Sequence, residues 1–263
     1  MNFLTDSFFS ALLLIWTLDH NLLEIISVSL KVSSASTFIS ALLLIWTRDH
    51  NLIEIISVSL KVSSASTCIS ALVGVPSGFL IAFSDFKGKR LVITILNTLL
   101  ALPTVVIGLF VYAFISRKGI FGAYDLLYTQ KAMIIGQIIL IIPIVTTFTI
   151  AAVSRIDDRY RKAALTLGAN FRQTAWVIIR EARFGIVAAV VLAFGRVIAE
   201  VGISMMLGGN AKGFTRTMTT AMALEYDKGE FVLSVALGIV LLSVSFAVNI
   251  FCNYFQGKDR TTN

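Results

Sequence analysis

Charge is what this sequence is short of. Asp, Glu, Lys and Arg together make up 14% of its 263 residues, where a soluble globular domain carries about 25%. With hydrophobic residues at 57% and apolar runs of about 20 residues, this excludes an ordinary water-soluble fold and predicts an all-α polytopic membrane protein. Cysteine is nearly absent. Cys68 and Cys252 lie far apart in apolar segments, so they build neither a disulfide framework nor a metal site, and both are expected as buried thiols. Histidine occurs twice, and no Lys or Arg precedes Lys31, unlike the basic start of a cleaved secretory signal. Also missing are a Gly-x-x-x-x-Gly-Lys-Ser/Thr phosphate loop, a nucleophile elbow and a His-based metal pair. The chain is therefore not expected to be an enzyme or to bind a cofactor directly.

The charges that are present are biased. Net charge is +7, but the cations sit mostly in loops beside apolar spans. That is the pattern of positive-inside topology rather than of a nucleic-acid surface, so no nucleic-acid partner is expected. Five spans account for the apolar runs: residues 62–83, 91–115, 131–153, 184–207 and 232–254. The basic turn 84–90 and the polar segment 154–183 then lie in the cytoplasm, the segments 116–130 and 208–231 outside, and the tail 255–263 inside. The three prolines, Pro76, Pro103 and Pro143, fall in the first three spans, where they either kink helices within a packed bundle or line a pathway.

The N-terminal region, residues 1–51, contains most of a near-exact tandem duplication. Residues 10–39 and 40–69 differ only at Leu18/Arg48, Leu23/Ile53 and Phe38/Cys68. Architectural repeats diverge further and come in larger number, so this is a recent duplication or a gene-model error, and a first copy that spans would raise five helices to six. His20 and His50 are one residue copied and carry little weight as metal ligands. Trp16 and Trp46 suit a membrane interface, and Asp19 and Asp49 are placed to cap the helix that follows each. Lys61 is expected to snorkel to the outer surface.

Residues 154–183 are the one long polar stretch. Within them Ala163, Ala164 and Gly168 put small side chains on a short helix that a partner can approach closely, with Lys162 just before them and Ile178 ten residues beyond Gly168. A second feature is Arg196 and Glu200, spaced i and i+4 so that they share a helix face. Ionisable groups at membrane depth face a bundle interior or a watery path, so the pair reads as an ionic staple, a pathway element, or both. Beyond it, Gly208, Gly209, Asn210, Thr215 and Arg216 combine flexible backbone with hydroxyls and a cation, in a segment expected to re-enter the bilayer or to gate. Four methionines, Met205, Met206, Met218 and Met222, cluster around it, as an adaptable plug or as ordinary helix contacts.

The polar stretch resembles the cytoplasmic coupling loop of bacterial ABC-importer permeases, whose pattern is Glu-Ala-Ala, three residues, Gly, nine residues, Ile-x-Leu-Pro. Here Lys162 replaces the Glu, Ala163, Ala164, Gly168 and Ile178 are in register, and Arg180-Glu181 replaces Leu-Pro. The run REARFGIVAAVVLAFGRVIAEVGISMMLGGNAKGFTRTMTTAMALE is similar to oxyanion-importing permeases of the molybdate group, which share Gly-Arg-x-x-x-Glu-x-Gly followed by Gly-Asn. With SLKVSSAST and LNTLLALPTVVIGL added, the likeness is greatest to tungstate permease subunits and covers residues 52–254. It implies a type I ABC-importer transmembrane domain in the prokaryotic plasma membrane, working as a homodimer with two cytoplasmic ATPase subunits and an external substrate-binding protein. ATP and Mg would be used by the ATPases, and lipid would surround the permease. Ala163, Ala164 and Gly168 would dock in the ATPase groove, and Arg196, Glu200 and residues 208–220 would lie near the gate. The rival classes are an ion-driven secondary transporter, which would normally show inverted repeats, and an assembly protein without substrate.

Overall fold

The computed structural model describes residues 50–257. The first repeat copy, with Trp16, Asp19 and His20, lies outside them, as do Trp46, Asp49, Lys258, Arg260 and the side chain of Cys252. Among the described residues there are nine α-helices and one short 3-10 turn, and no strand.

The longest helix, α1 (His50–Phe83, 34 residues), would measure about 51 Å at 1.5 Å per residue, so it extends well beyond the expected span 62–83. Its packing face is unusually polar and small. Ser59, Ser63, Ser66, Thr67 and Ser70 are buried, and Gly74 and Gly78 continue the same side toward α4 (Gln130–Ser154). A Cβ on Gly78 would lie 2.6 Å from the Thr146 carbonyl and 2.8 Å from Thr149 Cβ; one on Gly74 would lie 3.0 Å from Val145 Cβ. Small residues let membrane helices approach this closely, so their backbones rather than their side chains set the separation. At the same seam Ser66 Oγ donates to the Val62 carbonyl (2.8 Å) and stands 2.8 Å from Gln137 Oε1. One hydroxyl proton cannot serve both, and turning the Gln137 amide so that its Nδ-equivalent nitrogen, Nε2, donates satisfies the pair. Cys68 is exposed on the other side of α1, which corrects the expectation of a buried thiol.

The expected second span is broken. Helices α2 (Lys89–Leu100) and α3 (Thr104–Ile115) meet at a 99° bend. Pro103 has no N–H to continue the ladder and disfavours helical backbone at Leu102, so one helix ends and Pro103 becomes the N-cap of the next. Pro76 and Pro143, by contrast, remain inside α1 and α4. After the 3-10 turn Gly122–Tyr124, Thr129 caps α4, accepting a bond from Ala132 N at 3.3 Å.

The polar stretch 154–183 is largely helical. Helix α5 (Asp158–Thr166) starts at Asp157, whose Oδ1 accepts from Arg159 N at 2.9 Å. It ends at Gly168, where φ is +78° and Ala169 N returns to the Ala164 carbonyl at 3.0 Å, a glycine-closed helix end. A capping box between Asn170 and Gln173 then opens α6 (Phe171–Ile198). Thus α6 begins 13 residues before the expected span at 184. It stops at residues 199–201, and α7 (Gly202–Gly208) leaves at 59°. Helices α8 (Met218–Asp227) and α9 (Phe231–Gly257) complete the chain.

Helices α1, α4 and α9 are long and apolar enough to cross a bilayer singly, and the two bent pairs bring the number to five. Four apolar clusters hold the bundle, two of them smaller ones that fix α8 and α9; the other two concern the site. One gathers Val62, Ile107, Val111, Met133, Ile141, Val197, Ile203 and Leu207 from α1, α3, α4, α6 and α7. The other, next to α5, joins Phe79 and Phe83 to Val153, Ile178 and Ala182.

Candidate functional site

The polar sequence features resolve into two places at opposite ends of α6. At its start, α5 and the Gly168 turn form an element open to solvent on one side and seated on the bundle on the other. Lys162, Ala163 and Gly168 are exposed and Ala164 is buried. Nothing lies within 4 Å of where a Gly168 Cβ would be, so this glycine serves backbone conformation and not close packing. Leu165 and Leu167 are exposed to 53% and 87%, and Tyr160 and Trp176 are also open, which gives the element an apolar crest. Ile178 does not join that crest. It is buried beneath it with Phe79, Phe83 and Val153, so it supports the element from below. Phe83 ties the two together, stacked on Phe79, edge-on to Phe171 and covered by the Arg161 guanidinium at 4.7 Å.

At the far end of α6, Arg196 Nη1 donates to Glu200 Oε2 at 2.8 Å, with side-chain exposures of 43% and 3%. The other carboxylate oxygen, Oε1, accepts from Ile203 N at 3.3 Å. Glu200 therefore closes the end of α6 and caps the start of α7, where free N–H groups favour a negative charge. Its backbone carbonyl accepts from Thr219 Oγ1 at 2.9 Å. Thr219 in turn lies 3.0 Å from Thr217 Oγ1, and Met218 N donates to Ser59 Oγ at 2.7 Å. The ion pair, α8 and α1 are thus joined through a fully buried hydroxyl cluster.

The segment 208–217 is a knot closed on itself. Thr215 Oγ1 donates to the Gly208 carbonyl (2.6 Å) and accepts from Ala211 N (3.0 Å). Asn210, at φ +52°, accepts from Arg216 Nε at 3.2 Å and donates to the Thr220 carbonyl at 3.3 Å. Gly209 has φ +68°, and a Cβ there would lie 2.6 Å from the Tyr128 ring. Gln130 Nε2 reaches the Phe214 carbonyl at 2.6 Å. The sequence-nominated residues Gly208, Gly209, Asn210, Thr215 and Arg216 are therefore one unit, linked to Arg196 and Glu200 through α8. Of the methionines, Met218 is fully buried and Met206 packs against Gly108, which is helix contact.

Sequence reasoning missed the neighbours of the second helix break. A Cβ on Gly202 would meet Thr104 Oγ1 at 3.2 Å, Val105 Cγ2 and Glu200 Oε1 both at 3.3 Å. The broken ends of the α2–α3 and α6–α7 pairs thus lie side by side. Pro103 was the available signal, since a proline in an apolar run marks a boundary.

The bundle thus has up to five spans, two of them broken pairs, with a short polar helix between α4 and α6, an arrangement of a polytopic membrane domain. Residues 74–259 match the family described as "Binding-protein-dependent transport system inner membrane component", and the chain belongs to it. The chain is 40% identical over 194 residues, covering 72% of its length and 83% of the relative's, to a "Probable anion ABC transporter permease protein" of Haloferax volcanii. It is 43% identical over 171 residues, 64% of its length and 70% of the relative's, to the "Tungstate uptake system permease protein TupB" of Campylobacter jejuni subsp. jejuni serotype O:2. Among solved structures, a "bacterial ABC transporter involved in the import of the acidic polysaccharide alginate" superposes at TM-score 0.70 with 18% identity, covering 100% of this chain and 98% of that one. That likeness establishes the type I ABC-importer fold.

Proposed function

We propose that this chain is the permease subunit of an ATP-driven importer that moves an oxyanion, tungstate, across the prokaryotic plasma membrane. The observation that carries the substrate is the 43% identity to a tungstate uptake permease, well above the 18% that marks shared fold alone. Two copies of the chain would surround the path. Two ATPases would dock on the exposed crest of α5, with Ala163, Leu165 and Leu167 in their grooves, and hydrolyse ATP with Mg. An external binding protein, as the family description supposes, would deliver the anion at the opposite face, near the 208–217 knot.

The geometry supports a gate at the end of α6. Arg196 commits one nitrogen to Glu200 and remains 43% exposed, so its other donors are free to meet an anion. Its charge is partly balanced by the carboxylate, which suits a site that must bind and also release. Motion of α5 would reach this point along α6, one helix running from the docking element to the ion pair.

The test is uptake into cells expressing the permease with its ATPase and binding protein. Saturable tungstate accumulation that requires the ATPase, and that tungstate suppresses at lower concentration than molybdate or sulfate, is the expected result. Preference for molybdate or another anion would reassign the substrate within the same family. Uptake that persists without the ATPase and collapses with an uncoupler would favour the secondary-transporter reading instead.

A further inference from the structure

Helix α2 has three sides, and the third has no structural purpose in one copy of the chain. Val92, Ile93, Leu96 and Leu99 are half-buried, against the side that packs on α4. Leu91 and Ile95 are exposed apolar residues suited to lipid. The remaining arc, about 100° wide at 100° per residue, carries Arg90, Thr94, Asn97 and Thr98, all exposed. Thr94 and Thr98 give their hydroxyl protons to their own helix, to Arg90 O at 2.8 Å and Thr94 O at 2.9 Å, leaving oxygen lone pairs outward. No hydrogen bond or ion pair among the described residues engages the Asn97 amide or the Arg90 guanidinium. An Asn97 amide facing lipid at membrane depth is costly, whereas Arg90 stands at the helix start beside the basic turn.

A second observation points the same way. At the 99° bend, Ala101, Leu102 and Pro103 are all exposed. Non-helical backbone at membrane depth is stable only when buried in protein or wetted by a cavity. The elbow also adjoins the other helix break, where Thr104 and Val105 lie against Gly202, which Glu200 Oε1 also approaches. The polar arc of α2 therefore leads from Arg90, beside the basic turn, to the level of the Arg196–Glu200 pair.

We infer that the Arg90, Thr94, Asn97 and Thr98 face of α2 and the Pro103 elbow line the water-filled route between the ion pair and the α5 side of the membrane. The passing ligand is a small oxyanion, met by an amide, hydroxyls and one terminal cation. The inference rests on the importer reading and adds the residues of its inner half.

The experiment places single cysteines at residues 91, 94, 95, 97 and 98 of the full chain carrying Cys68→Ser and Cys252→Ser, co-expressed with its ATPase. Each assembled complex is treated with sulfonatoethyl methanethiosulfonate, a water-soluble anionic reagent whose sulfenyl sulfur the thiolate attacks, forming a mixed disulfide and expelling methanesulfinate. Thiolates form only where water reaches, so Thr94→Cys, Asn97→Cys and Thr98→Cys should react about tenfold faster than Leu91→Cys and Ile95→Cys, and tungstate should slow them. Asn97→Leu should cut uptake about tenfold at unchanged ATPase recovery, with Asn97→Ser retaining most of it. Equal labelling rates at all five positions, or disulfides between the two copies at residue 97 without labelling, would overturn the inference. If labelling follows the arc but the wild-type complex accumulates no oxyanion, the lining stands and the proposed substrate falls. If the wild type imports tungstate and the arc is unreactive, the reverse holds.

Discussion

At the residue scale, the hydroxyl of Thr215 is held from two sides. It is fully buried, donates to one backbone group and accepts from another. Thr215→Val keeps the shape but strands the Gly208 carbonyl and the Ala211 N–H, and should lower stability by about 1–3 kcal/mol, read as a lower thermal midpoint in detergent, with Thr215→Ser restoring it. Glu200 makes a parallel case. Arg196→Met leaves a carboxylate that is 3% exposed with only the Ile203 N–H, a loss of about 1–3 kcal/mol; adding Glu200→Gln should cost less than the sum of the single changes, which a double-mutant cycle measures. The ion pair was legible in the sequence because four residues separate its members, and it forms although Glu200 stands just past the end of α6. The bond from Thr219 to the Glu200 carbonyl was not, since 19 residues and a helix break separate them. Nor does spacing reveal that Ile178 faces inward; its burial depends on Phe79 and Phe83, nearly a hundred positions away in the chain.

At the element scale, two glycines with opposite duties separate docking from folding. Gly168 has φ +78° and open space around it, so Gly168→Trp adds bulk and backbone strain together, about 1 kcal/mol or more. Ala163 is exposed on the regular turn of α5. Ala163→Trp should therefore abolish ATPase co-purification while leaving the permease's thermal midpoint unchanged; recovery of the ATPase at wild-type level would move docking elsewhere. Gly78 is the converse, pressed against the Thr146 carbonyl and the Thr149 side chain of α4. Gly78→Ala should destabilise by about 1–3 kcal/mol through overpacking, lowering the midpoint without selective loss of the ATPase. The apolar runs made the number of spans readable. They did not disclose the 99° and 59° bends, because hydropathy averages over a window and is blind to where one backbone ladder stops.

At the scale of the molecule, only one of two nearly identical segments occupies α1. Every buried residue of its first half belongs to the repeat, and the two differences that fall within the described part of the repeat, Ile53 and Cys68, are exposed. The first copy would supply the same contacts up to Ser70. Thirty residues earlier, however, Gly74 is matched by Leu44 and Gly78 by Arg48, and those places against α4 admit no side chain. Removal of residues 10–39 is accordingly expected to leave the thermal midpoint and tungstate uptake intact, and loss of either in a stably expressed deletion would refute this.

During synthesis the first copy leaves the ribosome before the second, carrying the same instructions for the same berth in the bilayer. Gly74 and Gly78 follow both copies in the chain, and they are the places against α4 that admit no side chain, so what fits the second copy to this berth comes after the repeat. The chain's final threading is thus decided downstream of the ambiguity, much as a later word settles the sense of a repeated one.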